Sequence, residues 1–321
     1  MTKVTSLMAI QHEEGAGSFY QRPFLVNLFA KANDLQFIRA NNFPSISHYE
    51  DGDGVAINQM WNEIFQFLGD PVEMHRQMPL YITDATHSKD TVYNVPFGTA
   101  YQYLDKLDIA KRDSYLKEVR NVFNSKINKF PHLAKQDSGE FIIALHLRDS
   151  SKGDPPKSLK LIDWQLFSYD YGLPDNNPHY YARLYASNIN RIINERRIMN
   201  PVLHIHSTGN IDTFSELVEL LDQKIKVQFF LNHPAPLSFL ALVYADILIA
   251  SHSSFSWLAL LLRSGPSYIR KGFRHFLTQD TSILKEVLFS AEQTPLQRLY
   301  LKAKLKMNYW LFNKKLKRIK S

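Results

Sequence analysis

The 321-residue chain contains no cysteine. This absence excludes disulfide bonds and thiolate-held metal centres, and it fits a protein of a reducing compartment. No apolar run approaches the roughly 20 residues that a membrane-spanning helix needs. The first residues, MTKVT, lack the layout of a secretory signal. We therefore expect a cytoplasmic protein without a membrane-spanning segment.

Acidic side chains are missing from one segment of the chain. Residues 296–321 carry nine Lys and Arg residues and no Asp or Glu, whereas the rest of the chain has slightly more acidic than basic groups. The net charge of +7 therefore comes from this segment. A body of nearly balanced charge argues against nucleic acid as a partner.

The apolar residues of this basic segment have helical spacing, at Leu301, Leu305, Tyr309, Phe312, Leu316 and Ile319. One interpretation is a basic amphipathic helix that binds an anionic membrane surface, which would make the protein peripheral on the membrane. The other is a terminal helix that packs on its own protein and leaves its basic face in water.

From about residue 139, short apolar strands alternate regularly with helices. The pattern predicts strands at 141–146, 202–206, 225–230, 246–251 and 267–270, with helices near 178–198, 212–222 and 236–245. Such alternation is typical of a parallel sheet covered by helices on both faces, with ligands at the carboxyl ends of the strands. We expect residues 138–295 to form one Rossmann-like domain.

The first 137 residues are less regular. They begin with one predicted βαβ unit, built from a strand at 4–10, a helix at 19–32 and a strand at 35–39. We expect residues 1–137 to form a smaller α/β domain. The predicted fold class is therefore α/β, with two Rossmann-like domains facing each other across a cleft.

Residues 251–257, SHSSFSW, lie between an apolar strand and a helix that ends at Gly265. Such a turn directs several hydroxyl groups and helix N-terminal N–H groups at one spot, which suits a phosphate or another anion. The alternative is a cluster that only caps the helix.

Residues 12–18, HEEGAGS, connect the first strand to the first helix. Gly15 and Gly17 would allow a ligand to approach the backbone closely, and one of the two acids before them could serve as a general base. Tyr20 stands where a dinucleotide fingerprint has its third glycine, so the alternative is an ordinary βα turn.

Two further loops follow strands of the second half. In the first, His146 ends the strand and Arg148 offers a planar fork of donors that suits a phosphate. Alternatively, Arg148 pairs with a neighbouring acid on the surface and His146 only holds the loop. In the second, His206 and Ser207 begin a loop that could line a nucleotide pocket or cap the next helix. His204 and His206 share a strand face, but no third ligand is near, so we predict no metal.

The order of three loops, GAGS at 15–18, HLR at 146–148 and HSSFSW at 252–257, resembles that of the fucosyltransferase superfamily. The closest resemblance is to its α1,2-fucosyltransferase-like enzymes. The resemblance rests on these short motifs and implies the two-domain GT-B architecture. It also implies an inverting, metal-independent transfer of a sugar to a glycan hydroxyl, in the synthesis of a surface or lipid-linked glycan. GDP-fucose is the expected donor, and no cofactor is needed.

The resemblance also implies roles for individual residues. Arg148 would bind the donor diphosphate and stabilise the departing charge. Ser253, Ser254 and the N–H of Phe255 would hold the phosphates from the other side. Glu14, rather than Glu13, would be the catalytic base, as proposed for an acid in some protein O-fucosyltransferases. The full set of predicted donor contacts is Gly15, Gly17, His146, Arg148, His206, Ser207, Ser253, Ser254 and Phe255.

The chain departs from the family pattern at three positions. Asp149 replaces the second Arg of the middle motif, His252 replaces an Asn, and Ser238 stands where relatives carry an acid that contacts the purine. Two alternatives therefore remain open. The protein uses another nucleotide-sugar donor, or it is a non-catalytic relative that binds a glycan or a nucleotide.

Overall fold

The structure is a computed structural model, which describes residues 6–8, 16–39, 54–69, 78–79, 92–128, 140–147, 178–208, 210–251, 253–269 and 278–285. These residues form two parallel β-sheets with helices packed against them. The predicted basic helix at 296–321 and the predicted domain boundaries near 137 and 295 lie outside the described residues.

The first sheet contains four short strands in the order β2-β1-β4-β3, all parallel. The strands are β1 (Ser6–Met8), β2 (Gln36–Phe37), β3 (Met78–Pro79) and β4 (Val92–Asn94). The helices of this half are α1 (Ala16–Ala32), α2 (Gly54–Ile64), α3 (Phe97–Lys106) and α4 (Ile109–Ile127), with a short 3₁₀-helix at Gln66–Leu68. Helix α1 connects two parallel strands, which confirms the predicted βαβ unit.

The second sheet contains six parallel strands in the order β10-β9-β8-β5-β6-β7. They are β5 (Phe141–His146), β6 (Pro201–Ser207), β7 (Lys226–Leu231), β8 (Ile247–Ala250), β9 (Ser267–Ile269) and β10 (Thr281–Ile283). The helices are α5 (Pro178–Glu195), α6 (Ser215–Glu219), α7 (Ala235–Tyr244) and α8 (Ser254–Leu262), and a 3₁₀-helix (Ile211–Phe214) precedes α6. This strand order is that of the Rossmann fold, so the predicted class is confirmed.

The two faces of the second sheet pack against different partners. Ile143 and Leu145 of β5 share an apolar cluster with residues of α5, whereas Ala144 belongs to a larger cluster that contains α7 and α8. Because strand side chains alternate between the faces of a sheet, this split follows from the strand period of two. All four residues of β8 are buried, as expected for a strand covered on both faces.

The larger cluster also contains residues of α1, α2 and α4, so helices from the first half pack directly on α7 and α8. Aromatic rings carry much of this contact. Tyr20 of α1 stacks on Phe65 with a centroid distance of 4.1 Å. Trp61 of α2 lies 5.5 Å from the ring of Phe239 in α7 and 6.2 Å from that of Phe255 in α8. This packing fixes α8 relative to the helices of the first half.

Helix α8 ends at a buried guanidinium group. The side chain of Arg263 donates hydrogen bonds to the carbonyl oxygens of Ala245 (2.6 Å), Gly265 (2.7 Å) and Pro266. Burial, with a smaller contribution from the nearby Arg120, lowers the pKa of Arg263 to about 10, so the group remains charged at neutral pH. Arg263 therefore joins the end of α8 to the segments that lead into β8 and β9.

Within the part of the chain that the structure describes, no helix is both long enough and apolar enough to cross a bilayer.

Candidate functional site

The candidate site lies at the carboxyl ends of β5 and β8. These two strands are neighbours at the centre of the sheet, and the strand order reverses between them. His146 of β5 pairs in register with Ala250 of β8, and Ser251 follows directly. In open α/β sheets, ligands bind in the crevice at this point of reversal. The strand order alone therefore predicts a ligand-binding site at this edge of the sheet.

Helix α8 starts at this edge, as the strand–turn–helix pattern predicted. Ser253 is its N-cap residue, and the Ser253 hydroxyl accepts a hydrogen bond from the N–H of Phe255 (3.3 Å). The first turn of α8 contains no acidic residue. The positive end of the helix dipole is therefore not neutralised by carboxylates of its own first turn. The capping role of Ser253 is thus present, while its contact with a donor stays a prediction.

The amino end of α1 meets the amino end of α8 at Gly17. A Cβ atom added to Gly17 would lie 2.4 Å from the nitrogen and 2.6 Å from the Cα of Phe255, and 2.9 Å from the carbonyl carbon of Ser254. Glycine is needed here because backbone atoms of another helix occupy the space of a side chain. The sequence suggested close approach of a ligand at Gly17. The structure shows close approach of α8, and a donor contact at this position stays a prediction.

This meeting has an electrostatic consequence. The first turn of α1, like that of α8, contains no acidic residue. Each helix amino end carries roughly half an elementary positive charge. Two such ends repel each other unless an anion or ordered water lies beside them. The arrangement is therefore suited to a ligand with several negative charges, such as a diphosphate.

His146 lies beside the amino end of α8 and contacts two serine hydroxyl groups. Its Nδ1 atom is 2.7 Å from Oγ of Ser256 and 3.1 Å from Oγ of Ser251, and both serines are buried. The ring centroid lies 5.2 Å from that of Phe255. His146 was predicted at the site from the sequence, whereas no role was predicted for Ser251 or Ser256. The sequence signal for these two serines was their position, since Ser251 lies just before the start of α8 and Ser256 lies in its first turn.

His206 occupies the neighbouring position on β6, in register with His146 and with Phe230 of β7. Its ring is 2% exposed and stacks on Phe230 at 4.8 Å, and among the described residues neither ring nitrogen has a hydrogen-bond partner. Burial, with smaller effects of His146, His204 and His233, lowers the pKa of His206 to about 3. His206 is therefore neutral at pH 7.

The loop after β6 caps the following 3₁₀-helix, one of the two alternatives predicted for it. The capping residue is Asn210, whose side chain accepts a hydrogen bond from the N–H of Asp212 (3.3 Å). The hydroxyl of Ser207 instead donates to the carbonyl oxygen of Thr208 (3.2 Å). Contacts of His206 and Ser207 with a nucleotide stay predictions.

The structure thus brings several predicted residues to one edge of the sheet, namely Gly17, His146, Ser253, Ser254 and Phe255. Three others, Glu14, Gly15 and Arg148, lie outside the described residues, as does His252. The predicted base and the predicted diphosphate-binding arginine therefore stay predictions. In the described ranges, no three His, Asp or Glu side chains are grouped as a metal site requires.

No family model matches the sequence, and no protein of curated function matches it. Among solved structures, POFUT1 in complex with GDP-fucose is similar, with a TM-score of 0.41, 11% identity, and coverage of 88% of this chain and 99% of that chain. POFUT1 in complex with GDP gives a TM-score of 0.40, 11% identity, and coverage of 88% and 99%. NodZ alpha-1,6-fucosyltransferase soaked with GDP-fucose gives 0.35, 9% identity, and coverage of 81% and 93%. These TM-scores are too low to support an inference about this chain.

Proposed function

We propose that this protein is a glycosyltransferase that binds the diphosphate of a nucleotide sugar at the amino ends of α1 and α8. The observation that carries the proposal is the meeting of these two helix ends, through Gly17 and Phe255, at the point where the strand order reverses. A positive site of this kind suits a ligand whose charge is concentrated on phosphate groups. The motif order adds support for an α1,2-fucosyltransferase-like enzyme with GDP-fucose as its donor.

The same arrangement would favour the chemistry as well as binding. Sugar transfer breaks the bond between the anomeric carbon and the diphosphate oxygen, and the bonding electrons stay on that oxygen. Fixed N–H groups and positive charge at this point stabilise the developing negative charge in the transition state. We assign the N–H groups at the start of α8, the hydroxyl groups of Ser253 and Ser254, and the side chain of Arg148 to this role.

For an inverting transfer, the acceptor hydroxyl must attack the face of the sugar opposite to the diphosphate. Its proton then passes to a base on that side. We assign this role to Glu14, because it precedes α1 by two residues in the sequence. The acceptor is a glycan hydroxyl, and the acceptor oxygen forms the new bond to the anomeric carbon as the old bond breaks. This scheme assigns no step to a metal ion.

We further propose that residues 296–321 hold the enzyme at an anionic membrane, where a lipid-linked or surface glycan would be made. The nine basic residues and the helical spacing of the apolar residues support this role. Deleting residues 296–321 should abolish binding to vesicles that contain anionic lipid and should leave sugar transfer unchanged. If the deletion abolished sugar transfer as well as vesicle binding, residues 296–321 would have a role beyond anchoring.

A non-catalytic relative that binds a glycan or a nucleotide is the second candidate, and Asp149 in place of the family's second Arg favours it.

The test that separates the two candidates is release of nucleoside diphosphate from GDP-fucose, GDP-mannose and other nucleotide sugars in the presence of glycan acceptors. Arg148→Ala should reduce release at least tenfold, because the departing charge loses its main cation. Arg183→Ala, which removes an arginine at an exposed position on α5, is the matched control and should leave the release unchanged. Equal turnover in both variants would exclude the proposed role of Arg148, whereas tight binding without transfer would favour the second candidate.

A further inference from the structure

Three polar groups form a compact cluster under the amino end of α8. They are Nδ1 of His146, Oγ of Ser256 at 2.7 Å and Oγ of Ser251 at 3.1 Å. The two serine oxygens are 3.5 Å apart, and Oγ of Ser256 is 3.4 Å from the carbonyl oxygen of Ser251. Ser256 is 0% exposed and Ser251 is 7% exposed, so both hydroxyl groups must find their hydrogen-bond partners inside the protein.

The distances distinguish the two neutral forms of His146. If Nδ1 carries the proton, it donates to Ser256 at 2.7 Å, and both serine hydrogens are left with contacts of 3.4 and 3.5 Å. If Nδ1 is bare, it accepts from Ser256 at 2.7 Å and from Ser251 at 3.1 Å. The second arrangement uses the two short contacts, and hydrogen bonds weaken as they lengthen beyond about 3.2 Å.

Helix capping does not explain the position of the Ser256 hydroxyl. Ser253 already caps α8 through the N–H of Phe255, and Ser256 lies three residues further along the same turn. A helical serine commonly bonds to a backbone carbonyl three or four residues earlier. The carbonyl contact of Ser256 is instead with Ser251, five residues earlier, and at 3.4 Å it is longer than the contact with His146. Its shortest contact is with the ring of His146.

We infer that Ser256, together with Ser251, is a positioning residue that holds His146 with its proton on Nε2. In this form Nε2 donates a hydrogen bond and cannot accept a proton. His146 then serves as a neutral donor to a phosphate oxygen and not as a general base. The assignment of the proton rests on the cluster geometry alone, whereas its use toward phosphate rests on the proposed function.

The proton position is measured directly by nitrogen NMR of the 321-residue protein labelled with ¹⁵N-histidine. The signals of His146 are identified by their loss in His146→Gln. The wild type should show a protonated, pyrrole-type Nε2 and an unprotonated, pyridine-type Nδ1 at neutral pH. A protonated Nδ1 in the wild type would overturn the inference, and this result requires no other variant to fold.

Two variants test the role of the hydroxyl group. Ser256→Ala should give a mixture of the two ring forms, because the closest donor to Nδ1 is gone. Ser125→Ala removes a hydroxyl of α4 that bonds to the carbonyl oxygen of Val122, and it should leave the His146 signals unchanged. Unchanged signals in Ser256→Ala would overturn the positioning role.

Titration with GDP tests the functional part. Ser256→Ala should bind GDP about tenfold more weakly than the wild type, which corresponds to the loss of one well-oriented hydrogen bond. Equal affinity in Ser256→Ala would overturn the phosphate contact of His146. If the wild type binds no nucleotide, the proposed function fails, while the NMR result still decides the proton position.

Discussion

Replacement of Gly17 by alanine tests how closely α1 and α8 approach each other. The added Cβ would lie 2.4 to 2.9 Å from three backbone atoms of Ser254 and Phe255. Backbone atoms of a buried helix cannot move as a flexible side chain can, so the helices must separate or tilt. Overpacking of this kind costs about 1–3 kcal/mol, whereas an alanine in an unobstructed helix gains up to about 1 kcal/mol over glycine. Because three backbone atoms lie within 3 Å of the added Cβ, we take the upper end of this cost, about 3 kcal/mol, and expect a net loss of about 2 kcal/mol.

Gly98 provides a matched control because it is also the second residue of a helix, α3, and no atom of the described residues lies within 4 Å of its added Cβ. Gly98→Ala should leave stability unchanged or raise it slightly. The assay is urea unfolding, in which a lower midpoint at constant slope reports lost stability. If Gly17→Ala were as stable as Gly98→Ala, the amino ends of α1 and α8 would not be in contact and the proposed anion site would lose its basis.

Three further predictions concern stability. The pKa of His206 is about 3 in the folded protein and near 6.5 in the unfolded chain. The free energy of unfolding therefore decreases as the pH falls from 6.5 towards 3, by about 2 kcal/mol between pH 6.5 and 5. His206→Phe should remove this loss, and equal pH dependence of the urea midpoints of both proteins would contradict it. Arg263→Ala should cost at least about 3 kcal/mol in urea unfolding because it leaves several buried carbonyl groups unpaired, and Arg263→Lys should restore less than half. Trp61→Ala should cost about 3–5 kcal/mol by leaving a cavity among aromatic rings, and a loss under 1 kcal/mol would mean that these rings do not join α2 to α7 and α8.

The sequence predicted the elements of the second half well because their signals are local. The strand at 246–251 and the helix after it follow from two apolar runs separated by a hydroxyl-rich turn, and both were found. Strand β10 was missed because two of its three residues, Thr281 and Ser282, are polar, so the segment shows no apolar run of the kind that indicates a strand. The parallel arrangement of the strands was predicted from the helices between them. This prediction depends on the regular alternation of strands and helices along the chain, because no single strand shows its own direction.

The chemistry of the site was harder to predict because it depends on contacts between distant parts of the chain. A Gly-x-Gly turn signals a close approach, but the sequence cannot show that Phe255 of α8 approaches Gly17. The turn at 251–257 contains four serines, and nothing local indicates that Ser251 and Ser256 face His146 while Ser253 caps the helix. Likewise, the burial of His206 follows from its register between His146 and Phe230 on neighbouring strands.

The most direct test of the central claim is calorimetric titration of the 321-residue protein with GDP and GDP-fucose, comparing Ser253→Ala with Asp108→Ala. Both variants remove the N-cap of a helix, of α8 and α4 respectively, and should lose about 1 kcal/mol of stability. Only Ser253→Ala disturbs the proposed diphosphate site. We predict that the wild type and Asp108→Ala bind the nucleotide equally and that Ser253→Ala binds about tenfold more weakly. Equal binding by both variants, or no binding by the wild type, would contradict a diphosphate site at the amino end of α8.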